Sequence, residues 1–304
     1  HTLGHRRSEI AMKKLSILIV FLLLVGLAFG KDAVEELGKL INNLKNSSYE
    51  VERFVQESGI ITLARSEKVV KSGPYKLVTS YSSIKGEFGW VRNNNGQFAV
   101  FSQEEVAFEP LTNLKDSEDN LIDLFNNKDY TVSLFLDLPN STKVTLSSGG
   151  LTMEVTFDSG YRLLKLVKSY PFHTVSVSYR NYSDLSGEGL ARLTNATRGM
   201  SLVRPPVYLS EAMMEEYFSW SSMDFATDGR SYLYTLLMYS PSYGKMILYF
   251  SFNSEPENLQ QFSIKMAESN GFSYALEKIS STSALSLLGM VDSATLRKIL
   301  DSLH

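Results

Sequence analysis

The chain has 304 residues, of which 43% are hydrophobic and 21% charged, with a formal net charge of −3. That composition buries a core and is not that of a disordered chain. There is no cysteine, which excludes disulfides, thiolate metal sites, cysteine nucleophiles and lipid attachment through an N-terminal cysteine. His1, His5 and His304 sit at the ends and only His173 lies inside, so a histidine metal site or a Ser-His-Asp triad has too few parts.

Residues 1–11 resemble neither a leader nor a domain and read as upstream translated sequence or a misplaced start. Met12, Lys13 and Lys14 precede the apolar run from Leu15 to Phe29, which ends at Ala28-Phe-Gly30. A basic start, about 15 apolar residues and small residues at the end predict a secretory signal peptide over 12–30. An uncleaved anchor is the alternative reading, although the run is short for a bilayer span. The expected location is therefore extracytoplasmic: periplasmic, cell-surface or secreted. Residues 1–30 carry Arg6, Arg7, Lys13 and Lys14 against Glu9, leaving 26 basic and 32 acidic residues, net −6, in the remainder. An acidic exported chain has no electrostatic reason to bind nucleic acid. Asn46, Asn140, Asn181 and Asn195 head Asn-x-Ser/Thr sequons, which permit glycosylation in a suitable host.

Val34, Leu37, Leu40, Ile41 and Leu44 recur at helical spacing between Asp32 and Lys45. From Tyr49 the period becomes two, and Tyr49–Gln56, Ile60–Ala64 and Tyr75–Tyr81 read as strands. Phe88–Val91 and Gln97–Phe101 flank Asn93-Asn-Asn-Gly96, a hairpin signal because Asn-Gly tolerates positive φ. A short helix is predicted at Asp119–Phe125 with Ser117 as cap. Val132, Leu134, Leu136 and Leu138 then share one parity, as do Leu151, Met153, Val155 and Phe157, and Val175, Val177 and Tyr179. This is a long antiparallel meander with one apolar face. Arg204-Pro-Pro206 marks a boundary. Beyond it, Ser210 caps a predicted helix to about Ser219. Tyr232–Tyr239 and Met246–Phe252 read as central strands, Phe262–Met266 fits either helix or strand, and Phe272–Leu276 and Ala284–Leu288 read as strands. Asp292 or Ser293 caps a final helix carrying Leu296, Ile299, Leu300 and Leu303.

The run Leu151-Thr-Met-Glu-Val-Thr-Phe-Asp158, then Tyr161–Lys168, then His173–Asn181, resembles the LolA/LolB/RseB-like superfamily. The terminal run from Leu287 through Gly289, Thr295 and Ile299 to Leu303 is similar to the second domain of periplasmic sigma-factor regulators of the RseB type. The resemblance implies an α+β protein. Its first domain, 31–185, is a curved antiparallel half-barrel sheet with helices on its concave face. A linker at 186–206 leads to a smaller α+β domain at 207–304. Relatives bind acyl chains or lipoprotein segments on the concave side. This chain lacks their lipidated cysteine, and nothing in it identifies a sigma-factor pathway.

On that resemblance, the candidate lining of an apolar cavity is Phe88, Trp90, Phe98, Phe101, Phe108, Leu134, Leu136, Met153, Val155 and Phe157, with ordinary core packing as the plainer reading of each. Met213, Met214, Tyr217, Phe218 and Trp220 form a soft apolar stripe. His173 reads as a surface residue, and Gln103-Glu-Glu105 and Asp116-Ser-Glu-Asp119 as solvated carboxylates, with a hard cation as the sharper alternative. No Gly-x-Ser-x-Gly, P-loop or Gly-x-Gly-x-x-Gly string occurs. The expectation is a non-enzymatic binding protein without cofactor or metal, holding a lipid or acylated peptide. The alternatives are an interaction module for an envelope membrane protein and, third, an exported hydrolase.

Overall fold

The computed structural model describes residues 33–59, 62–83, 86–92, 98–101, 106–112, 115–171, 173–210, 219–240 and 242–303. Helix α1 spans 33–46, and Leu37, Leu40, Ile41 and Leu44 are buried while Val34 is exposed. Six strands follow: β1 Ser48–Gly59, β2 Leu63–Ser72, β3 Tyr75–Ser82, β4 Gly86–Arg92, β5 Phe98–Phe101 and β6 Val106–Phe108. Helix α2 is Ser117–Asn127. Then come β7 Thr131–Leu138, β8 Ser141–Ser148, β9 Leu151–Phe157, β10 Leu163–Tyr170, β11 His173–Ser183, helix α3 Gly187–Asn195 and β12 Ser201–Val203. These strands form one open sheet in the order β12-β6-β5-β4-β3-β2-β1-β11-β10-β9-β8-β7. All pairs are antiparallel hairpin neighbours except β1 with β11, which are distant in sequence, and β12 with β6, which are parallel.

Helices α1 and α2 cover one face. Leu37, Leu40 and Leu121 share a core with Val69, Val78, Val144, Met153, Val155 and Phe157, so strands from β3 round to β8 contribute to it. Helix α3 lies on the opposite face against Val70, Leu77, Phe101 and Ala107 through Leu193. The neighbours Val69 and Val70, and Leu77 and Val78, thus divide between two covered faces, as strand geometry requires. The segment 186–206 holds α3 and β12.

The cap of α2 is Asp116, one residue before the expected Ser117. Its carboxylate accepts from the Glu118 and Asp119 amides, and Asp119 reaches back to the Asp116 amide at 3.0 Å, a reciprocal capping box.

The second sheet runs β13-β14-β15-β17-β16, with β13 Ser219–Thr227, β14 Tyr232–Ser240, β15 Gly244–Phe252, β16 Ser273–Ser280 and β17 Ser283–Gly289. Helix α4, Pro256–Asn270, packs on one face through Leu259 and Ala267, and α5, Ser293–Leu300, on the other through Leu296, Ile299 and Leu300. That is why β14, β15 and β17 are apolar on both faces. The ambiguous stretch Phe262–Met266 lies within α4. Asp292 caps α5 by accepting from the Thr295 amide at 2.9 Å. The expected helix after Ser210 falls outside the described residues, up to its end at Ser219 in β13.

The two sheets share a core. Phe108, the last residue of β6, and Leu111, which follows it, are buried with Tyr234, Phe250 and Leu300. The Leu209 amide donates to the Leu111 carbonyl at 2.7 Å and the Ser210 amide to the Leu303 carbonyl at 2.8 Å. Among the described residues no helix is long and apolar enough to cross a membrane.

Candidate functional site

The helix-covered face of the first sheet is packed. Met153, Val155 and Phe157 are fully buried in its core. Trp90 is half-buried against that core, with the Lys76 ammonium and the Arg92 guanidinium 5.9 and 5.8 Å from its ring. Phe88 is half-buried on β4. The other expected lining residues lie elsewhere. Phe101 is under α3 on the opposite face, Phe108 is in the second core, and only the backbone of Phe98 in β5 is described. Leu134 and Leu136 are 39% and 41% exposed. A bulge between Val132 and Leu134 flips the inward parity of β7 from Val132 to Phe135, and these two pack on the core. Of the stripe at 213–220, the backbone of Trp220 lies in β13, and Met213, Met214, Tyr217 and Phe218 lie outside the described residues, as does Gln103-Glu-Glu105.

Beneath the start of α2 the covered face is ionic. Arg53 binds Glu67, and its guanidinium also reaches Asp116 at 2.9 Å. Lys76 binds Glu118 and lies 2.5 Å from Asp116. Arg92 grips Asp119, and Arg65 bridges Glu57 at 3.1 Å and Glu67 at 2.7 Å. Arg53, Glu57, Glu67, Lys76 and Glu118 are all buried. Burial alone would raise the Glu67 and Asp116 carboxyls, but Arg53 with Arg65, and Lys76 with Arg53, outweigh it and hold both below the usual range. The Asp116-Ser-Glu-Asp119 carboxylates, expected to be solvated, are therefore engaged by three cations of the protein. His173, expected at the surface, is buried, its Nε2 3.3 Å from a Glu57 oxygen. This network pins α2 to the sheet.

Open space lies on the other face, around α3. On one side of the helix is a cleft of about 540 Å³ lined by Tyr75, Val91, Ala107, Leu190, Met200 and Leu202, with Arg92 and Glu109 among its polar residues. Tyr75, Leu190 and Leu202 are 41%, 45% and 49% exposed, so three of the large apolar side chains left in solvent converge on one groove. On the other side is a cleft of about 790 Å³, whose lining includes Phe54, Ser66, Lys68, Tyr81, Arg180 and Arg192. Helix α3 is held between them by Leu193 below, by Arg192 on Glu87 at 2.6 Å, and by its cap Ser186 on Glu50. A Cβ at Gly189 would meet the Glu50 carboxylate, so a side chain there would displace the group that holds the cap.

None of Phe54, Lys68, Tyr75, Arg180, Leu190 and Leu202 was among the expected site residues. The available signal was the apolar spacing of Leu190, Leu193, Met200 and Leu202 after a capping serine, obscured by Gly187 and Gly189 in the first helical turn.

No family model matches the chain, and no curated protein does. Among solved structures it is similar to MucB, with a TM-score of 0.43 and 10% identity over 90% of this chain and 98% of that one. It is similar also to a LolA superfamily protein of Nitrosomonas europaea, at 0.30 and 11% over 51% and 94%. The lipoprotein LppX of Mycobacterium tuberculosis gives 0.32 and 8% over 50% and 95%. These are distant likenesses of fold.

Proposed function

We propose that this chain is an exported, non-catalytic binding protein that holds an acyl-chain-bearing ligand, a lipid or an acylated peptide, on the α3 face of its first sheet. The observation that carries the reading is the convergence of Tyr75, Leu190 and Leu202 on the apolar cleft. Exposed apolar groups gathered in one concavity gain about 0.8 kcal/mol per methylene they help to bury. The cleft volume lies in the range of small-molecule sites. Native mass spectrometry of the chain, with solvent extraction of what co-purifies, tests the reading. A bound lipid lost in Leu190→Asp and Leu202→Asp supports it. A clean mass that stays unchanged after incubation with lipids overturns it.

A second reading, an interaction module for an envelope membrane protein, is favoured by the position of the cleft at the join of the two sheets. Glu109 lines the cleft, accepts from Arg204 at 2.9 Å and from the exposed Tyr208 hydroxyl at 2.5 Å. Tyr208, 53% exposed, thus stands beside the cleft through its bond to Glu109. A defined membrane protein that binds the wild type and not Leu202→Asp would place the function here instead.

A further inference from the structure

The larger cleft carries its own pattern. On the outward face of β1, Glu52 stands between Arg180 of β11 and Lys68 of β2, its register partners on either side, which puts the two cations about 10 Å apart across three strands. The alternation of β11 breaks here. Asn181 takes a positive φ of 56° opposite the register shift at Glu50/Glu52, and Arg180 and Asn181 are both exposed. Bulges re-aim side chains in this way. Asn181 Nδ2 donates to a Glu52 oxygen at 2.7 Å, and Glu87 accepts from Arg192 at 2.6 Å. Glu52 and Glu87 are thereby hydrogen-bonded, as are Glu67 by Arg53 and Arg65 and Glu50 by Ser186. Lys68 and Arg180 make no hydrogen bond or ion pair with any described residue.

One step along the strands, Phe54 pairs with Ser66 of β2, and Tyr81 follows Ser80, the partner of Glu67, on β3. Phe54 and Tyr81 are 42% and 76% exposed. Ser66, the small residue between them, leaves a slot between two aromatic walls about 10 Å apart. The cleft is therefore an apolar slot that opens onto two cations without a hydrogen bond or ion pair among the described residues, one on each side of Glu52, with Glu50 acting on Lys68 at longer range.

We infer that this cleft selects anionic amphiphiles: an oxyanion head, carboxylate or phosphate, is held by Lys68 and Arg180, and an apolar body lies between Phe54 and Tyr81 over Ser66. The inference rests on the reading of the α3 face as a ligand-binding face and goes beyond it, because it concerns the second cleft, across α3 from Leu190 and Leu202, and gives the ligand there a charge of fixed sign. Charge-assisted hydrogen bonds to a head at the surface supply discrimination, and the slot supplies affinity.

Titration calorimetry with dodecanoate, dodecyl phosphate and the neutral 1-monolauroylglycerol, each below its micelle threshold, tests it. Dodecanoate and dodecyl phosphate are expected to bind about tenfold more tightly than the neutral ester, and the Lys68→Gln/Arg180→Gln double variant to erase that preference while still binding the ester. Raised salt weakens only the anionic probes. Ser66→Phe fills the slot and removes binding of all three. A preference of the carboxylate over the phosphate, or the reverse, identifies the head. Equal binding of charged and neutral probes, unchanged in the double variant, overturns the inference and leaves the binding reading standing. Binding of none of the probes overturns the inference, and the native mass measurement decides separately whether the binding reading falls with it.

Discussion

Ser186 and Glu50 are joined twice: the Ser186 amide donates to Glu50 Oε1 at 2.8 Å and its hydroxyl to the same oxygen at 2.5 Å, while that hydroxyl accepts from the Gly189 amide at 2.9 Å. One carboxylate on β1 thus fixes the cap of a helix that begins 136 residues later, and with it the partition between the two clefts. Ser186→Ala should cost about 1 kcal/mol of local helix stability, and Glu50→Ala should release the cap from the sheet. Hydrogen exchange of the α3 amides is the direct measurement, and protection unchanged in both variants would show that Leu193 alone holds the helix. The hydrogen bonds from Ser186 lower the Glu50 carboxyl below its ordinary 4.5. The latch is therefore fully present above that pH and is lost as pH falls through the lowered value.

The ion network under α2 carries a second prediction. Lys76 stands between Asp116 and Glu118 in a buried setting. Lys76→Met would leave the buried Glu118 and the partly buried Asp116 short of a cation, at a cost of about 3–5 kcal/mol, read as a drop in the denaturation midpoint. Acid should unfold the domain by the same route. Glu67 and Asp116 are held below the ordinary range, so their contribution is complete above it and lost as pH falls through their folded values. Asp119 runs the other way. Burial and the Asp116 charge raise it, so it gains a proton first and its protonation eases folding. A midpoint independent of pH through the acid range would show that the network is energetically silent.

Core and site separate on substitution. Phe157 is buried against α1 and α2, and Phe157→Ala should cost about 3–5 kcal/mol by leaving a cavity. Leu202 is half-exposed in the cleft, and Leu202→Asp should change stability by less than about 0.5 kcal/mol while removing the ligand. Thermal melts paired with the ligand titration give both readouts. Lost affinity in folded Phe157→Ala with normal affinity in Leu202→Asp would return the site to the helix-covered face.

Much of this architecture is legible residue by residue. The antiparallel pairing of β4 with β5 on either side of residues 93–97, which lie outside the described residues, the alternation of Leu151–Phe157, the doubly apolar Met246–Phe252 and the Asp292 cap all reflect local physics, and each of these described elements stands where that physics puts it. The failures share one cause, which is that inward and outward are decided by tertiary partners. Strand β2 extends to Ser72 through Arg65, Glu67 and Lys71, which sit on the covered face beside Val69. Charges paired there look, in sequence, like a solvated loop. The β7 bulge reverses a clean leucine parity that no local signal contradicts. His173 is buried because Glu57 waits 116 residues upstream. The clefts escaped for a related reason: Tyr75, Leu190 and Leu202 come from three segments that meet only because β12 returns to pair with β6.

The two sheets should unfold together, and Phe108 is the reason. Its ring meets Tyr232 and Tyr234 edge-on, each at a centroid distance of 5.5 Å, although its backbone belongs to the first sheet through β6. The Tyr234 hydroxyl donates to the Glu109 carbonyl at 2.7 Å, so the strand end is fixed to the second core by packing and by a hydrogen bond. Phe108→Ala removes a buried aromatic anchor, with a cost of about 3–5 kcal/mol that falls on the junction rather than on either sheet's own core. Scanning calorimetry should show one transition in the wild type and two in Phe108→Ala, the lower belonging to the less stable unit. Tyr234→Phe, which keeps the ring and loses only the hydrogen bond, should lower the midpoint by about 1 kcal/mol equivalent and keep the single transition. A single transition in Phe108→Ala as well would mean that the paired backbones at Leu111–Leu209 and Ser210–Leu303 suffice to couple the two units.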